Sequence, residues 1–224
     1  MPDIIRVVNL SRSFSSGSQK INVLKNIGIT IEEGKLTVLR GRSGSGKTTL
    51  LNLLSALDYP TSGQIFLNNI DITKLSDRRR DEIRRTQYGF VFQSVALISN
   101  MTAYENVDFA LRVSGYPAKE RNDRVLSVLN LVGLSERMKH RVQELSGGEQ
   151  QRVAIARAIS AKPGIIFADE PTAELDTAMG EQIMNLFMDL VKTQEVTVVM
   201  TTHDPHLMKC ADVVYQLEDG AVTA

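Results

Sequence analysis

Apolar positions in the first seventy residues come in short runs broken by polar turns. Ile4 to Leu10, Gly28 to Ile31, Leu36 to Leu39 and Gln64 to Leu67 are β-branched or alternating, and Gly34 and Gly63 punctuate them. Runs this short with that punctuation predict strands and a sheet-rich first part. From about Ala103 to Arg141 the spacing lengthens: Val107, Ala110 and Leu111, then Val125, Val128, Leu129 and Val132, fall on one face at a 3.6-residue period. That region reads as a helical insertion. Beyond it come the apolar run Ile165 to Ala168, a helical stretch Ala178 to Lys192, a strand Val196 to Thr201 and a last strand near Val213 to Leu217. Alternation of strand and helix predicts a parallel sheet with crossover helices.

Composition narrows the classes without choosing one. The 224 residues are 42% hydrophobic, enough for one sizeable core or two lobes that share one. Twenty-six Lys and Arg balance twenty-six Asp and Glu, so no bulk positive field exists to gather nucleic acid or an anionic bilayer. The dense basic run SDRRRDEIRR, Ser76 to Arg85, interleaves acids at helical spacing and reads as a solvated amphipathic helix. The single cysteine, Cys210, forms no internal disulfide and favours a reducing compartment. No run approaches the roughly 18 to 20 apolar residues of a membrane span, and the start, MPDIIRVV, lacks a secretory signal pattern. Any work at a membrane then needs a second chain.

Two segments carry chemistry. In GRSGSGKTT, a strand runs into Gly41, Ser43, Gly44, Ser45 and Gly46, and a helix opens near Lys47. Glycines let successive N–H groups turn inward around phosphate oxygens, and the helix N-terminus favours an anion. Lys47 then reaches the outer phosphates, Thr48 offers a hydroxyl to Mg²⁺, and Thr49 follows on the same turn. In IIFADE, four apolar residues fit a strand covered on both faces, and Asp169 and Glu170 emerge where it ends. Ligands of open α/β sheets sit at that edge. Carboxylates there can hold Mg²⁺ through Asp169 and polarise an attacking water through Glu170, or simply cap the next helix.

Between them stands LSGGEQQR, Leu145 to Arg152, in which Ser146 is a good helix N-cap. The order phosphate loop, Gln93, LSGGEQ, IIFADE, TAELD and His203 resembles the ATP-binding cassette (ABC) ATPases over essentially the whole chain. The resemblance implies an α/β fold: a P-loop NTPase, RecA-like core (1–92 and 160–224), with an N-terminal antiparallel β subdomain and an inserted α-helical subdomain (93–159). It implies that ATP and Mg²⁺ are bound, with Glu170, His203 and Lys47 catalytic and Gln93 sensing the γ-phosphate beside the metal. It further implies that Ser146, Gly147, Gly148 and Glu149 grip the γ-phosphate held by a second copy. Two cassettes then close head to tail over two ATP molecules, with Asp176 at their interface. Phe14 stands where the family stacks an aromatic ring on adenine; core packing is the rival reading.

Several positions depart from the family pattern. Ala173 and Glu174 replace residues that are often Gly and Asn, and Arg40 and Arg42 flank the first loop glycine. His140 and His206 match no motif and read as surface residues. Within the family, VLKNI, FVFQ, TAYENV and the segment after the phosphate loop are similar to macrolide-export and lipoprotein-release cassettes. Their partners are permeases, so the resemblance implies docking of a permease helix near 94–105, with Val95, Leu97, Ile98 and Met101 as an apolar floor. A peripheral place on the cytoplasmic side of a membrane follows. Two other readings are carried beside this transporter ATPase: a soluble ABC protein acting on DNA or ribosomes, and a nucleotide switch on a non-transport partner.

Overall fold

The computed structural model describes residues 2–17, 19–173, 175–202 and 208–223. Among these, the strands form two sheets. The first is antiparallel, in the order β2 (Gln19–Glu32), β1 (Asp3–Ser16), β4 (Ser62–Leu67), β5 (Ile70–Asp71). β1 and β2 run well past the predicted strands, pairing from Asp3↔Glu32 out to Ser16↔Gln19. Their outer ends are exposed, with Phe14 and Ile21 paired there as isolated apolar residues, so no buried face printed an apolar alternation.

The second sheet has the order β10 (Ala221–Thr223), β9 (Val213–Glu218), β3 (Leu36–Arg40), β8 (Thr197–Thr201), β7 (Ile165–Asp169), β6 (Tyr88–Val91). It is parallel from β9 to β6, and β10 adds an antiparallel edge. The helices are α1 (Lys47–Leu54), α2 (Asp77–Thr86), α3 (Ala103–Ser114), α4 (Arg121–Leu131), α5 (Gly147–Ser160) and α6 (Thr177–Gln194). The α/β fold with an antiparallel β part and a helical insertion is therefore as expected.

The parallel sheet is a wall between two cores. Successive strand residues point to opposite faces. In β7, Ile165 and Phe167 join α1 and the antiparallel sheet, while Ile166 and Ala168 join the helical side with α3 to α6. Val199 and its neighbours Val198 and Met200 divide in the same way in β8. Both faces being covered explains why these strands read as unbroken apolar runs. Each fully buried large side chain, such as Phe167 or Phe187, contributes about 1.5–3 kcal/mol.

Caps fix the helical part. Thr102 and Glu105 form a reciprocal capping box at the start of α3, and Gly115 ends it with φ 79°. Arg124 of α4 donates through Nε to the Ser160 carbonyl at 2.7 Å and through Nη2 to that of Ile159 at 2.7 Å. Those carbonyls close α5 and have no partner inside the helix.

The basic run forms α2, but it is not wholly solvated. Arg80 is 2% exposed and donates to the Ala56 carbonyl at 2.7 Å, with a second, very short bond to the Asp58 carbonyl. Its guanidinium also lies 3.5 Å from the centroid of the Tyr59 ring. Arg80 thus satisfies carbonyls where the chain leaves α1. Replacing it by Met takes the donor from the Asp58 carbonyl and one of two arginine donors from that of Ala56, to which Arg84 also donates. Arg80→Met is expected to lower stability by about 2 kcal/mol, read from the urea midpoint at unchanged slope, whereas Arg79→Met on the exposed face changes it by under about 0.5 kcal/mol.

Candidate functional site

The C-terminal ends of β3, β8, β7 and β6 lie side by side, and each leads into a segment that carries polar groups. After β3 the chain turns through Gly41, whose φ is +154°; a Cβ there would lie 2.3 Å from the Leu217 carbonyl oxygen. Only glycine lets the loop pass that close. Gly44 has φ +78° and open space around it, and Gly46 caps α1 with φ 103° and no side-chain bond. The first N–H groups of α1 are left facing a cleft of about 610 Å³ lined by Ser43, Gly44, Lys47, Thr48, Thr49, Gln93 and Glu170. Such an end suits an anion.

Lys47 is 8% exposed, and its Nζ donates to the Gly41 carbonyl at 2.9 Å and the Arg42 carbonyl at 3.1 Å. The loop is therefore already wrapped round a cation. Ser45 Oγ is buried without a hydrogen-bond partner among the described residues, so the loop holds a hydroxyl in reserve.

At the end of β7, Asp169 is 7% exposed, and its Oδ1 accepts from Thr201 Oγ1 at 2.6 Å and Thr48 Oγ1 at 3.2 Å. Thr201 Oγ1 in turn accepts from the Glu170 N–H at 2.9 Å. One threonine of β8 thus sets both acids. Glu170 has φ 47°, left-handed for a residue with a Cβ, a geometry that costs of order 1–3 kcal/mol and needs such support. That turn breaks strand alternation. Glu170 lines the cleft above the phosphate loop, and Asp169 a neighbouring one; Thr48 and Gln93 line both.

The neighbouring cleft, about 640 Å³, extends along α1 past Asn52 and Ser55 to Phe14. Phe14 is 41% exposed, which removes core packing as its role. One face of its ring lies 4.4 Å from the Arg12 guanidinium carbon, and Arg12 is held by a two-bond pair to Asp58 at 2.8 and 2.9 Å.

Ser146 caps α5. Its N–H and hydroxyl both donate to Glu149 Oε2 at 2.9 Å, and its Oγ accepts from the Glu149 N–H at 3.3 Å. Arg137 Nε sits 3.2 Å from the other Glu149 oxygen. Ser146 and Gly147 are exposed, and a Cβ on Gly147 would meet nothing within 4 Å. Neither they nor Gly148 and Glu149 line the two clefts of their own chain. Asp176 caps α6 instead, its Oδ1 accepting from the Met179 N–H at 2.9 Å. His203, His206 and Glu174 lie outside the described residues. His140 is half-buried, not a free surface residue, with Nε2 3.3 Å from Arg137.

The segment after Gln93 departs from the expected apolar floor. Of Val95, Leu97, Ile98 and Met101, only Ile98 lines the adjoining cleft of about 350 Å³, whose other apolar walls include Ala96, Phe90, Phe92, Phe109 and Val113. Leu97 turns into the helical core. Val95 and Ala96 adopt φ 52° and 46°, and their carbonyls accept from Arg157 of α5. Burial pulls the Arg157 guanidinium down from its ordinary pKa. Sequence reading missed Phe109 and Val113 because they lie off the core stripe of α3, where an apolar residue is usually just exposed.

The model of the family described as "ABC transporter" matches residues 24–173. The chain is 43% identical to the uncharacterized ABC transporter ATP-binding protein YvrO of Bacillus subtilis, over 95% of this chain and 92% of that one. It is 38% identical to the macrolide export ATP-binding/permease protein MacB of Vibrio parahaemolyticus, over 99% of this chain but 34% of that longer protein. Among solved structures it is similar to the dimeric post-hydrolysis state of the cassette MJ0796 of Methanocaldococcus jannaschii, bound to ADP and Pi. That match has a TM-score of 0.94 at 39% identity and covers 98% of this chain and 97% of the other.

The cap on α5 gives a pH signature. The Ser146 N–H holds the Glu149 carboxyl below its ordinary value, against partial desolvation, with the Ser146 hydroxyl and Arg137 adding to the effect. A depressed folded pKa means the cap is intact above the ordinary glutamate value of about 4.3 and is lost as pH falls through the lower folded value. In a carboxyl-resolved NMR titration the Glu149 midpoint is expected below about 4.3, and Ser146→Ala moves it upward.

Proposed function

This chain belongs to the ABC transporter family, and we propose from that premise that it binds and hydrolyses Mg²⁺–ATP as a head-to-tail homodimer that drives a membrane permease. The observation that carries the reading is the joining of the phosphate loop to both acids through one hydrogen-bonded chain: Thr48 to Asp169, Asp169 to Thr201, Thr201 to the Glu170 N–H. ATP phosphates fit the cradle of Gly44, the open N-terminus of α1, the buried Ser45 hydroxyl and Lys47. Oxygen donors alone, from Thr48, Gln93 and Asp169, suit magnesium better than a softer metal. When bound, that ion supplies charge neutralisation at the β- and γ-phosphates.

The chain's own groups do the rest. Lys47 gives its ammonium to the outer phosphates, exchanging loop carbonyls for phosphate oxygens. Glu170, turned into the cleft by its left-handed backbone, accepts a hydrogen bond from the attacking water and orients it. His203, assigned from its place after β8 and the family pattern, steadies the γ-phosphate. Phe14, with one face taken by Arg12 and the ring otherwise exposed, is the adenine platform.

The dimer follows from what each chain lacks. Ser146 and Gly147 project to solvent, away from their own clefts, and a helix N-terminus with open glycine space fits the γ-phosphate of a facing copy. Ala173 and Asp176 are exposed and would border that interface. This chain is then one cassette, with 93–159 as its helical part. No helix among the described residues is long and apolar enough to cross a membrane. The permease supplies the spans and docks by a short helix over 94–105, in the apolar cleft that Ile98 and Phe109 line. The cassette thus works at the cytoplasmic face, and the likeness to MacB favours export or mechanical transmission.

Glu170→Gln is expected to keep ATP binding, slow steady turnover by roughly 10²–10⁴-fold, and accumulate a dimer in size-exclusion chromatography with Mg²⁺–ATP. Hydrolysis at the wild-type rate removes Glu170 from its role. Lys47→Ala is expected to weaken ATP affinity itself, measured by calorimetry, at least tenfold, the loss of about one charge-assisted bond.

A further inference from the structure

Gln151 is polar, in the middle of a helix, and 1% exposed. Burial of an amide is costly unless it is bonded, and Gln151 spends its Nε2 on one acceptor, the Pro171 carbonyl at 2.9 Å, twenty residues away. Its Oε1 is buried with no partner among the described residues. A side chain that tolerates an orphaned acceptor to make one bond is poorly explained by packing, since Met would fill the same space.

The two ends of that bond matter. Gln151 lies on α5 a little over one turn beyond Ser146, and the capping box makes that turn continuous with the helix. Pro171 directly follows Glu170, whose backbone is left-handed. The Glu170 N–H is pinned to Thr201 on one side, and the carbonyl of the next residue, Pro171, is pinned to Gln151 on the other. Glu170 is thus bracketed by β8 below and by α5 above. Across this bracket, the turn that grips a partner's nucleotide is tied to the acid that serves the chain's own.

We propose that Gln151 is a positioning residue that transmits engagement of Ser146 with the partner's γ-phosphate to Glu170, coupling the two ATP sites of the dimer. When Ser146 is drawn to phosphate, the pull passes along α5, and its bond to Pro171 sets the turn at Glu170. The inference rests on the dimer and on the roles given to Ser146 and Glu170 above. Without the bond, dimers still close, but Glu170 is aligned in fewer of them.

The test uses the full chain. Gln151→Met, close in length and volume but without a donor, unpairs the Pro171 carbonyl while removing the orphaned Oε1, and is expected to fold with a modest fall in thermal midpoint. Combined with Glu170→Gln, it still forms the Mg²⁺–ATP dimer. Alone, it loses roughly tenfold in kcat, the worth of one buried hydrogen bond, at near-constant KM. In a double-mutant cycle with Ser146→Ala the kcat losses are non-additive, because both changes cut one linkage. Gln151→Leu provides a second variant if Gln151→Met does not fold. Wild-type kcat in a folded variant, or additive losses in the cycle, overturns the proposal. Undiminished turnover in Glu170→Gln or Ser146→Ala would instead show that the roles beneath it are wrong.

Discussion

The hydroxyl of Thr201 is the smallest part on which the site depends. It donates to Asp169 and accepts from the Glu170 N–H, so a single oxygen at the end of β8 fixes one acid by its side chain and the next by its backbone. Consecutive residues of a regular strand would diverge to opposite faces. Here the first acid reaches toward Thr48 at 3.2 Å, while the second turns over the phosphate loop. The strained φ of Glu170 is tolerable because it is bonded on its N–H and followed by a bonded carbonyl. Sheet order makes this possible: β8 lies between β3, which delivers the phosphate loop, and β7, which delivers the acids.

That order rests on the two cores. A parallel sheet with apolar side chains on both faces cannot slip by one residue without exchanging the contents of both cores. Phe167 and Val199 would leave the α1 side, and Ala168 and Met200 would be forced into the space they vacate. Register at the strand ends is therefore fixed by packing well below them. The functional edge inherits rigidity and is free to carry unsatisfied groups such as the Ser45 hydroxyl. The helical part obtains its rigidity separately, from its capping boxes and from Arg124 on the end of α5.

Much of this was legible in the residues. IIFADE announced a doubly covered strand ending in acids, and GRSGSGKTT announced a strand, a tight loop and a helix start. Ser146 and Glu149, three apart, carried the spacing of a capping box. What stayed hidden is long-range. The outer halves of β1 and β2 pair with each other in solvent and so lack an apolar signature. Arg80 reads as one of five arginines in α2, and only its burial and its bond to the Asp58 carbonyl distinguish it. Gln151 stood inside the conspicuous motif yet looked like any helix surface glutamine, since nothing nearby in sequence foretells Pro171 overhead. The left-handed Val95 and Ala96 likewise follow from Arg157, sixty residues on.

The same geometry keeps the serine-glycine turn out of both clefts of its own chain. The serine-glycine turn stands on α5, and α5 is fastened into its own chain at Gln151, at Arg157 and at its C-terminal carbonyls. Bringing Ser146 to its own phosphate loop would require breaking those attachments and the apolar contacts of Val153, Ile155 and Ala156 in the helical core. Burial of side chains like these contributes on the order of 1–3 kcal/mol apiece, far more than one serine hydroxyl bonded to phosphate returns. Ligand engagement by a second copy leaves every such contact in place. For the proposed dimer, closure between chains is thus the lower-cost route to a complete site.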